Sequence, residues 1–377
     1  MNYRTFGKTG EKISLLGFGA MRLPVIGRDQ TQIDVDETSA MIRRAIDAGV
    51  NYVDTAYVYH GGNSEVAVGK ALKDGYREKV LLADKYPVWL TDSKEKVSEL
   101  LDEQLKRLDT DVIDMYLIHD LSYSKWDIVK KYDVISIFEE KVREGKIKHI
   151  GFSFHDELPL FKEIIDYYDW DFCQIQLNYM DVAFQAGVEG LKYAAAKGIP
   201  VIVMEPLKGG KLTDTIPESV EKLWREAPVK RSPAEWAFRW VADFPEVMTI
   251  LSGMSDMRQV EENLDILSRV DANALSDDEK GLIEAVSAEY NRLIRHSCTS
   301  CRYCMPCPNE IEIPYVIGCR NEWELYNHNK KIKSQFKFFY PGKNFPSSCI
   351  KCGVCEEKCP QHLAVMQAMD EAAAIFE

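Results

Sequence analysis

The chain has 377 residues, of which 46% are hydrophobic and 28% are charged, and its formal net charge at pH 7 is −13. This is the composition of an ordinary globular protein, so a disordered, collagen-like or low-complexity chain is excluded, and the acidic balance argues against a nucleic-acid-binding surface. The N-terminal segment lacks an apolar run of signal-peptide length, and no segment approaches 18 consecutive apolar residues. We therefore expect a cytoplasmic protein that binds neither nucleic acid nor membrane.

The ten cysteines are distributed unevenly along the chain. Nine of them lie between Cys298 and Cys359, and the tenth is Cys173. Residues 295–377 carry a net charge of +1, whereas residues 1–294 carry −14. Because cysteine content and charge change at the same place, the sequence predicts two domains, 1–294 and 295–377. Thiols stay reduced in the cytoplasm, so a cysteine cluster there favours metal ligation over disulfides.

Before the boundary, short apolar runs alternate with amphipathic stretches. Residues 3–14 read as a hairpin that turns at residues 7–10 and closes the bottom of a barrel. Apolar residues recur at intervals of three and four over 37–48, 64–72, 93–108, 128–144 and 276–293, which predicts helices. Eight strands are expected, at 15–20, 52–54, 80–83, 113–117, 147–151, 172–176, 200–204 and 247–251.

Strands that alternate with helices indicate parallel βαβ units. Eight such strands in about 290 residues suit a closed barrel better than an open doubly wound sheet. The first β–α turn carries Gly17-Phe-Gly19 but lacks the G-x-G-x-x-G dinucleotide fingerprint leading into a helix. The predicted fold class is therefore α/β, a (β/α)8 TIM barrel followed by a small, mainly helical domain.

Three successive predicted strands end in ionisable side chains. The second ends at Asp54, the third at Lys85 and the fourth at His119, and Tyr59 follows five residues after Asp54. Barrel enzymes carry their chemistry at the C-terminal ends of the strands, so these residues should surround one mouth. An ammonium beside a tyrosine lowers the phenol pKa, a carboxylate can hold that ammonium, and a histidine can orient a carbonyl oxygen. The set suits protonation of a carbonyl oxygen while hydride reaches the carbon.

These motifs resemble those of the aldo/keto reductase family over about residues 1–270. The resemblance rests on Asp54-Thr-Ala-Tyr-Val-Tyr59, Asn63-Ser-Glu65, Gly69, Lys85, His119, Gly151-Phe-Ser153, Met204-Glu-Pro-Leu207 and Ser252-Gly253. It implies Tyr59 as general acid, Lys85 and Asp54 as the pair that tunes it, and His119 as the residue that orients the substrate. It also implies a nicotinamide cofactor at the barrel mouth, bound by Gly19, Ala20, Met21, Ser153, Gln174, Met204, Pro206, Leu207, Ser252, Gly253, Arg258, Glu262 and Asn263.

Several positions depart from the family pattern. Phe154 stands where the family usually has asparagine, and Met204 replaces an aromatic residue that often stacks on the nicotinamide. Met204 is as well explained as a core residue at a strand end. Gly253 and Gln259 occupy positions that are often lysine and arginine near the adenosine 2′-phosphate, although Arg258 is adjacent and could substitute. The choice between NADP and NAD stays open, and so does a flavin.

The tail contains two cysteine runs with ferredoxin-like spacing. The second run, Cys349, Cys352, Cys355 and Cys359 before proline, has the bacterial C-x2-C-x2-C-x3-C-P spacing, and the first has x2 before its last cysteine. In two-cluster ferredoxins the last cysteine of each run ligates the other cluster. This rule predicts two [4Fe–4S] clusters, one held by Cys298, Cys301, Cys304 and Cys359, the other by Cys307, Cys349, Cys352 and Cys355.

Zinc and disulfides are competing interpretations of these cysteines. A zinc site explains neither the third cysteine in each run nor the two Cys-Pro endings. With helices expected at 311–324 and 363–376, the tail resembles helical two-cluster ferredoxin domains, and the whole chain resembles an iron–sulfur-containing branch of the aldo/keto reductases. Cys173 and Cys319 receive no role, and the lysine-rich stretch at 330–337 is expected to be a solvated connector.

The sequence therefore predicts an oxidoreductase that interconverts a carbonyl and an alcohol with a nicotinamide cofactor, with attached clusters for electron transfer. Its partners would be a small-molecule substrate and a redox partner protein, for which the near-neutral tail is the expected face. Nicotinamide moves two electrons as hydride and a cluster moves one at a time, so exchange between them calls for a flavin. Two alternatives stay open: an electron-transfer protein whose barrel is a docking scaffold or binds flavin, and a reductase with purely structural clusters.

Overall fold

Eight parallel strands close into a barrel in the computed structural model, which describes residues 1–7, 9–27, 29–214, 216–296, 298, 302–359 and 361–377. The order around the barrel follows the chain, and the last strand pairs with both the first and the seventh. This confirms the predicted (β/α)8 barrel. A hairpin of β1 (Tyr3–Thr5) and β2 (Lys12–Ser14) precedes the barrel strands β3 (Leu16–Gly19), β4 (Tyr52–Asp54), β5 (Leu81–Tyr86), β6 (Ile113–Leu121), β7 (Ile147–Phe154), β8 (Phe172–Gln176), β9 (Val201–Met204) and β10 (Val247–Gly253).

The hairpin closes the N-terminal end of the barrel, as expected. Phe6 and Ile13 belong to the same buried cluster as Tyr52 and Met248, which lie at or next to the starts of β4 and β10. Apolar burial at this end leaves the opposite end, where the strands finish, available for polar side chains.

Helices connect the strands, and α1, α3, α10 and α13 begin at side-chain caps. In α3 the side chain of Ser93 accepts from the backbone N–H of Lys96, and the apolar stripe at intervals of three and four is buried. The helices are α1 (Val35–Asp47), α2 (Ser64–Ala71), α3 (Lys94–Leu108), α4 (Tyr123–Tyr132), α5 (Val134–Arg143), α6 (Leu158–Tyr167), α7 (Gly187–Ala196), α8 (Glu218–Glu226), α9 (Pro233–Ala242), α10 (Met257–Leu267), α11 (Asp277–Arg292), α12 (Ile313–Leu325), α13 (Lys330–Phe339), α14 (Val354–Glu357) and α15 (Val365–Phe376).

Two local predictions were wrong. The single helix expected at 128–144 is interrupted at Asp133, which has a φ of 58° and accepts a hydrogen bond from Ser136, so α4 and α5 are separate. The lysine-rich stretch expected as a connector forms α13. Its apolar residues Ile332 and Phe336 are four apart and buried, and Phe336 stacks on Phe376 with ring centroids 4.4 Å apart.

The chain divides into two units by the density of its internal contacts. The first comprises Met1–Gly209 and Glu235–Ser276 and holds the barrel; the second comprises Gly210–Ala234 and Asp277–Glu377. The second unit thus includes α8 and α11 in addition to the helices after residue 294. The boundary at 294/295 that the sequence suggests stays a prediction. Across the described residues, none of the helices is long and apolar enough to cross a membrane.

Candidate functional site

The ends of β4, β5 and β6 bring the predicted catalytic side chains together. The Nζ atom of Lys85 lies 2.5 Å from Oδ1 of Asp54 and donates to the carbonyl oxygen of Thr55 at 2.7 Å. The same ammonium is 5.0 Å from the centre of the Tyr59 ring. The Tyr59 and His119 rings meet edge to face, with centroids 6.0 Å apart. Four groups that are far apart in the sequence therefore surround one point at the barrel mouth.

Burial and the neighbouring charges determine the protonation states of Tyr59 and Lys85. Burial raises the pKa of Tyr59 above its ordinary value, although the Lys85 ammonium works in the opposite direction. The lowering expected from Lys85 is thus present but is outweighed by desolvation. Burial alone would lower the pKa of Lys85, but Asp54 more than compensates and the pKa is raised. At neutral pH the tyrosine is therefore a phenol that holds its proton, next to a charged ammonium.

His119 is neutral in this environment. Burial lowers the pKa of its imidazole well below the ordinary value, and the charge of Lys85 adds to the effect. The ring of Trp89, from the turn after β5, lies 5.3 Å from the His119 ring. The buried Nδ1 atom of His119 has no hydrogen-bond partner among the described residues. A neutral imidazole in an aromatic setting can hydrogen-bond a substrate oxygen without adding charge to the site.

A histidine that the sequence analysis overlooked holds the Tyr59 segment in place. His60 has a left-handed backbone (φ 52°), accepts from the N–H of Leu23 through Nε2 and contacts the carbonyl oxygen of Gln30 through Nδ1 at 2.6 Å. Burial lowers the pKa of His60, which keeps it in the neutral form that these two bonds need. The loop after β3 thereby fixes the position of Tyr59. A polar residue next to the motif was the only signal for this role in the sequence.

A second set of side chains that the sequence analysis overlooked forms hydrogen bonds to the backbone at Lys85. Asp84 accepts from the backbone N–H of Lys85 at 2.8 Å and from Nε2 of Gln104 at 2.7 Å. Gln104, on α3, also donates to the carbonyl oxygen of Lys85, and its own Oε1 accepts from Tyr116 at 2.6 Å. All four residues are buried. These bonds fix the backbone at Lys85, so its ammonium is oriented before any ligand binds.

The polar residues predicted to bind the nicotinamide line the next two strand ends. Ser153 and Gln174 are paired in register on β7 and β8, and both are buried. Ser153 accepts from the backbone N–H of Asp120 at 2.8 Å, and Nε2 of Gln174 lies 3.3 Å from the sulfur of Met204. The Oε1 atom of Gln174 is buried and has no hydrogen-bond partner among the described residues. Met204 packs against the barrel core, in agreement with the core interpretation of this position.

The remaining predicted cofactor residues surround the mouth at the ends of β3, β9 and β10. The register aligns Gly19 with both Gly253 and Asp54. Pro206 and Leu207 follow β9, whereas Ala20 and Met21 follow β3. Ala20 is buried, and Met21 is 49% exposed.

The segment after β10 is partly held by its own bonds. Asn263 donates to the buried Ser252 hydroxyl at 3.0 Å. The guanidinium of Arg258 is 75% exposed and lies 3.7 Å from both Asp256 and Glu262. Its charge is therefore shared between two carboxylates of this segment.

Two cavities lined by cysteines lie side by side in the second unit. The first has about 380 Å³ of empty space, open in part to solvent, and five cysteines in its wall. The second has about 340 Å³. Cys304 and Ile313 line both. The first cavity is lined by Cys304, Cys307, Cys349, Cys352, Cys355, Pro308, Ile311, Ile313, Ile350, Gly353, Met366 and Met369, and the second by Cys298, Cys304, Cys359, Arg302, Ile313, Pro314, Ile317, Gln361, Leu363 and Val365.

Cysteines of both runs are mixed in each cavity wall. Cys307 of the first run lies with the three leading cysteines of the second run, whereas Cys359 lies with Cys298 and Cys304. Cys301 lies outside the described residues. Within the part of the chain that the structure describes, three or more His, Cys, Asp or Glu side chains nowhere converge closely enough to hold a single metal ion.

Five of the cavity-lining cysteines, Cys307, Cys349, Cys352, Cys355 and Cys359, form no disulfide with another described residue. Cys173 and Cys319 lie in a different environment. Burial raises the pKa of Cys319 to about 12 and raises that of Cys173 further. These two thiols line neither cavity, which agrees with their interpretation as packing residues.

Comparisons with known proteins match the barrel part of the chain. The chain is 28% identical over 308 residues to L-galactose dehydrogenase of Arabidopsis thaliana, covering 75% of this chain and 93% of the relative. It is 29% identical over 313 residues to the NADH-specific methylglyoxal reductase of Escherichia coli strain K12, covering 70% and 92%. The structure of the aldo-keto reductase AKR11C1 from Bacillus halodurans in its holo form matches with a TM-score of 0.63 and 28% identity, covering 76% of this chain and 96% of that one.

The sequence profile of the Aldo/keto reductase family matches residues 15–288 and ends before the first cysteine of the tail. This match spans the barrel with every strand end described above. The chain belongs to the aldo/keto reductase family and is an NAD(P)-dependent oxidoreductase that acts on carbonyl and alcohol groups.

Proposed function

We propose that Tyr59 is the general acid of a carbonyl reductase whose second unit holds two [4Fe–4S] clusters for electron transfer. The proposal that Tyr59 is the general acid rests on the position of the Lys85 ammonium. This buried group lies 2.5 Å from Oδ1 of Asp54 and next to the Tyr59 ring. The bound nicotinamide supplies a hydride to the carbonyl carbon of the substrate. The chain's own residues then orient and protonate the carbonyl oxygen of the substrate.

Tyr59 donates its phenolic proton to the carbonyl oxygen. Its raised pKa keeps this proton in place until the oxygen gains negative charge. The positive charge of Lys85 stabilises the phenolate that remains, and Asp54 keeps Lys85 charged although it is buried. Neutral His119, on the edge of the Tyr59 ring, orients the carbonyl by a hydrogen bond.

The barrel mouth fits a nicotinamide ring on the evidence of its unsatisfied polar atoms. Gln174 carries a buried Oε1 without a partner among the described residues, beside Ser153 on the neighbouring strand. A carboxamide offers both a donor and an acceptor to such a pair, so these two residues would hold it. Met204, at the end of β9, packs against the core but is only partly buried, so its thioether would be available where many family members have an aromatic ring.

The cysteine cavities support the second half of the proposal. Each thiolate of a cubane binds a different iron, so its ligands lie further apart than those of one metal ion, and a lined cavity is a better fit than a single-ion site. Cys307, Cys349, Cys352 and Cys355 would hold one cluster; Cys298, Cys301, Cys304 and Cys359 would hold the other. The remaining walls are mostly apolar, as in Ile311, Ile317 and Met369, and would protect the clusters from water.

The acid–base assignment is tested with Y59F. We expect carbonyl reduction to fall by about 10²- to 10⁴-fold, since the proton donor is lost, while NAD(P)H affinity is retained. Y57F is the matched control, because Tyr57 lies two residues away and hydrogen-bonds Glu103 instead. Steady-state kinetics and cofactor titration measure both variants. Retained reduction in Y59F would overturn the assignment.

The clusters are tested by anaerobic purification with analysis of iron, sulfide and zinc. Eight irons per chain are expected, about four in C352S, and still eight in C319S, since Cys319 lines neither cavity. Stoichiometric zinc in place of iron would overturn the cluster assignment.

The electron-transfer role is tested separately, by adding NAD(P)H anaerobically and following the visible absorption. Bleaching of the clusters, directly or with added flavin, is expected if they exchange electrons with the cofactor. Absence of bleaching under both conditions would assign the clusters a structural role.

A further inference from the structure

Two carboxyl groups are buried side by side between the barrel and its outer helices. Glu65, on α2, and Asp84, on β5, are both fully buried. Glu65 lies on the same face of α2 as Gly69, four residues later, where the missing side chain lets α2 approach α3. A methyl group on Gly69 would lie 2.5 Å from the carbonyl oxygen of Leu108. The close approach of the two helices keeps Glu65 away from water.

The cations on either side of the pair are already matched by other carboxylates. Nη1 of Arg107 donates to Oε2 of Glu65 at 2.8 Å, but Nη2 of the same guanidinium pairs with Glu103. On the barrel side, the ammonium of Lys85 is held by Asp54. Two buried negative charges would therefore lie next to each other without two free cations to balance them.

The hydrogen bonds of the pair leave one oxygen unsatisfied. Asp84 accepts from the backbone N–H of Lys85 and from Nε2 of Gln104. Oε1 of Glu65 is buried and has no hydrogen-bond partner among the described residues. The Glu65 and Asp84 side chains are close enough to form a hydrogen bond with each other. Two carboxylates are both acceptors, so a proton on one of them is what turns this contact into a hydrogen bond.

The surroundings favour such a proton and indicate where it resides. Burial, and after it the charge of Glu65, raises the pKa of Asp84 well above its usual range. Burial also raises the pKa of Glu65, although Arg107 opposes this effect. Because Glu65 holds the ion pair with Arg107, the proton belongs on Asp84. The other titratable and charged side chains around the pair come from the neighbouring helix and strands and are Glu103, Asp54, Tyr59, Lys85 and Tyr116.

We propose that Asp84 is protonated at neutral pH, donates a hydrogen bond to Oε1 of Glu65 and acts as an uncharged positioning residue for Lys85. A charged Asp84 would add a second carboxylate near Lys85 and would oppose formation of the Tyr59 phenolate. An uncharged Asp84 keeps the bonds that fix the backbone at Lys85 and leaves the charge of the ammonium to stabilise the phenolate. The effect on the phenolate rests on the proposed role of Tyr59, whereas the shared proton does not.

Infrared spectroscopy of the full-length protein tests the proton, because a protonated carboxyl group absorbs apart from a carboxylate. Wild type at pH 7 should show a protonated-carboxyl band that shifts in D2O and on 13C labelling of aspartate. The band should be lost in D84N. It should be displaced in E65Q, since the acceptor changes from a carboxylate to a neutral amide and the hydrogen bond weakens.

D114N is the matched control for the infrared test. Asp114 is also buried but forms ion pairs with Arg77 and Lys148, which keep it charged, so D114N should retain the band. Absence of the band in wild type would assign the unsatisfied oxygen of Glu65 to a buried water and overturn the proposal, whether or not the variants fold. A band that persists in D84N or is unchanged in E65Q would overturn it as well.

The consequence for the phenolate is tested by the pH dependence of reduction, with 4-nitrobenzaldehyde as the carbonyl probe. Reduction should fall as the pH rises through the pKa of Tyr59, because the acid loses its proton. The midpoint of this fall should be the same in D84N as in wild type, since asparagine and a protonated aspartic acid are both uncharged. A midpoint moved to lower pH in D84N would show that Asp84 is charged in wild type and would overturn the proposal. Retained reduction in Y59F would instead contradict the role of Tyr59 and leave the infrared result standing.

Discussion

The barrel mouth and the cysteine cavities are built in different ways. At the mouth, Lys85, Asp54 and His60 are held by buried hydrogen bonds, so the polar groups are in place before a ligand arrives. In the second unit, the cavity walls are mainly thiols and apolar side chains. We therefore expect the polar site of the barrel to form without a ligand, whereas the cysteine-bearing loops would depend on the proposed clusters for their folding.

The largest effect is expected from removal of the iron that the proposed clusters would contain. Anaerobic chelation should leave the amides of β3–β10 protected from hydrogen exchange, while those between Arg302 and Cys359 lose protection by about 10³-fold or more, because the proposed clusters would supply much of the local folding free energy. Exchange followed by mass spectrometry measures both regions in one sample. Full protection of the tail without iron would contradict this difference between the two regions.

The next effect concerns the buried ion pair. K85M leaves the carboxylate of Asp54 buried without its partner, and we expect a loss of about 3–5 kcal/mol in the free energy of unfolding. Burial raises the pKa of Asp54, so the loss should shrink at low pH, where this carboxyl takes up a proton. Urea denaturation at several pH values measures it.

The control for this variant lies in the second unit, where Lys343 and Glu310 form an exposed pair. K343M should leave stability unchanged within error, since exposed pairs contribute little. A loss in K343M as large as that in K85M would contradict the role assigned to burial.

Two glycine substitutions distinguish a close helix contact in the barrel from an exposed helix position in the tail. In G69A the new methyl group would lie 2.5 Å from the carbonyl oxygen of Leu108, so α2 and α3 must separate, at a cost of about 1–3 kcal/mol. In G318A, on α12, the methyl group meets nothing within 4 Å. That variant should gain about 0.5–1 kcal/mol from the higher helix propensity of alanine. Thermal unfolding of the two variants checks the opposite signs.

The smallest effect is a pH dependence at the barrel mouth. Because the pKa of His119 is lowered well below 6.5 by burial, the unfolded chain takes up a proton that the folded chain refuses. His119 should therefore make stability fall by at most about 1.4 kcal/mol per pH unit as the pH drops below 6.5, and should contribute nothing to the slope above it. Denaturation of wild type and H119Q between pH 5 and 8 measures the difference, and parallel curves would contradict it.

The repeating pattern of the sequence made the barrel predictable. The eight strands follow from short apolar runs between amphipathic stretches, and Asp54, Lys85 and His119 meet because parallel strands end on the same side. Spacing alone predicts that Cys307 joins the second cysteine run; the wall of the first cavity holds these cysteines together with Cys304, and the assignment of cluster ligands stays a prediction.

The positions that sequence reasoning missed depend on contacts between distant segments. His60 bonds to the loop after β3, and Gln104 on α3 bonds to Asp84 on β5. No local pattern encodes these contacts. The break at Asp133 was missed because the apolar period continues through it, and only the left-handed backbone separates α4 from α5.

The second unit is discontinuous in sequence, and this limits how the protein can be divided. Its α8 comes from Gly210–Ala234, in the middle of the barrel sequence, and buries Val220 and Trp224. Tyr290 on α11 is equally buried, and its ring lies 5.9 Å from that of Tyr326, which belongs to the tail. A shortened chain ending at residue 294 would keep α8 and α11 but lose Tyr326. The loss of Tyr326 would expose an aromatic surface. Expression of residues 1–294 alone would therefore require polar replacements on α8 and α11. A tail fused to another barrel would require α8 and α11 to be included with it.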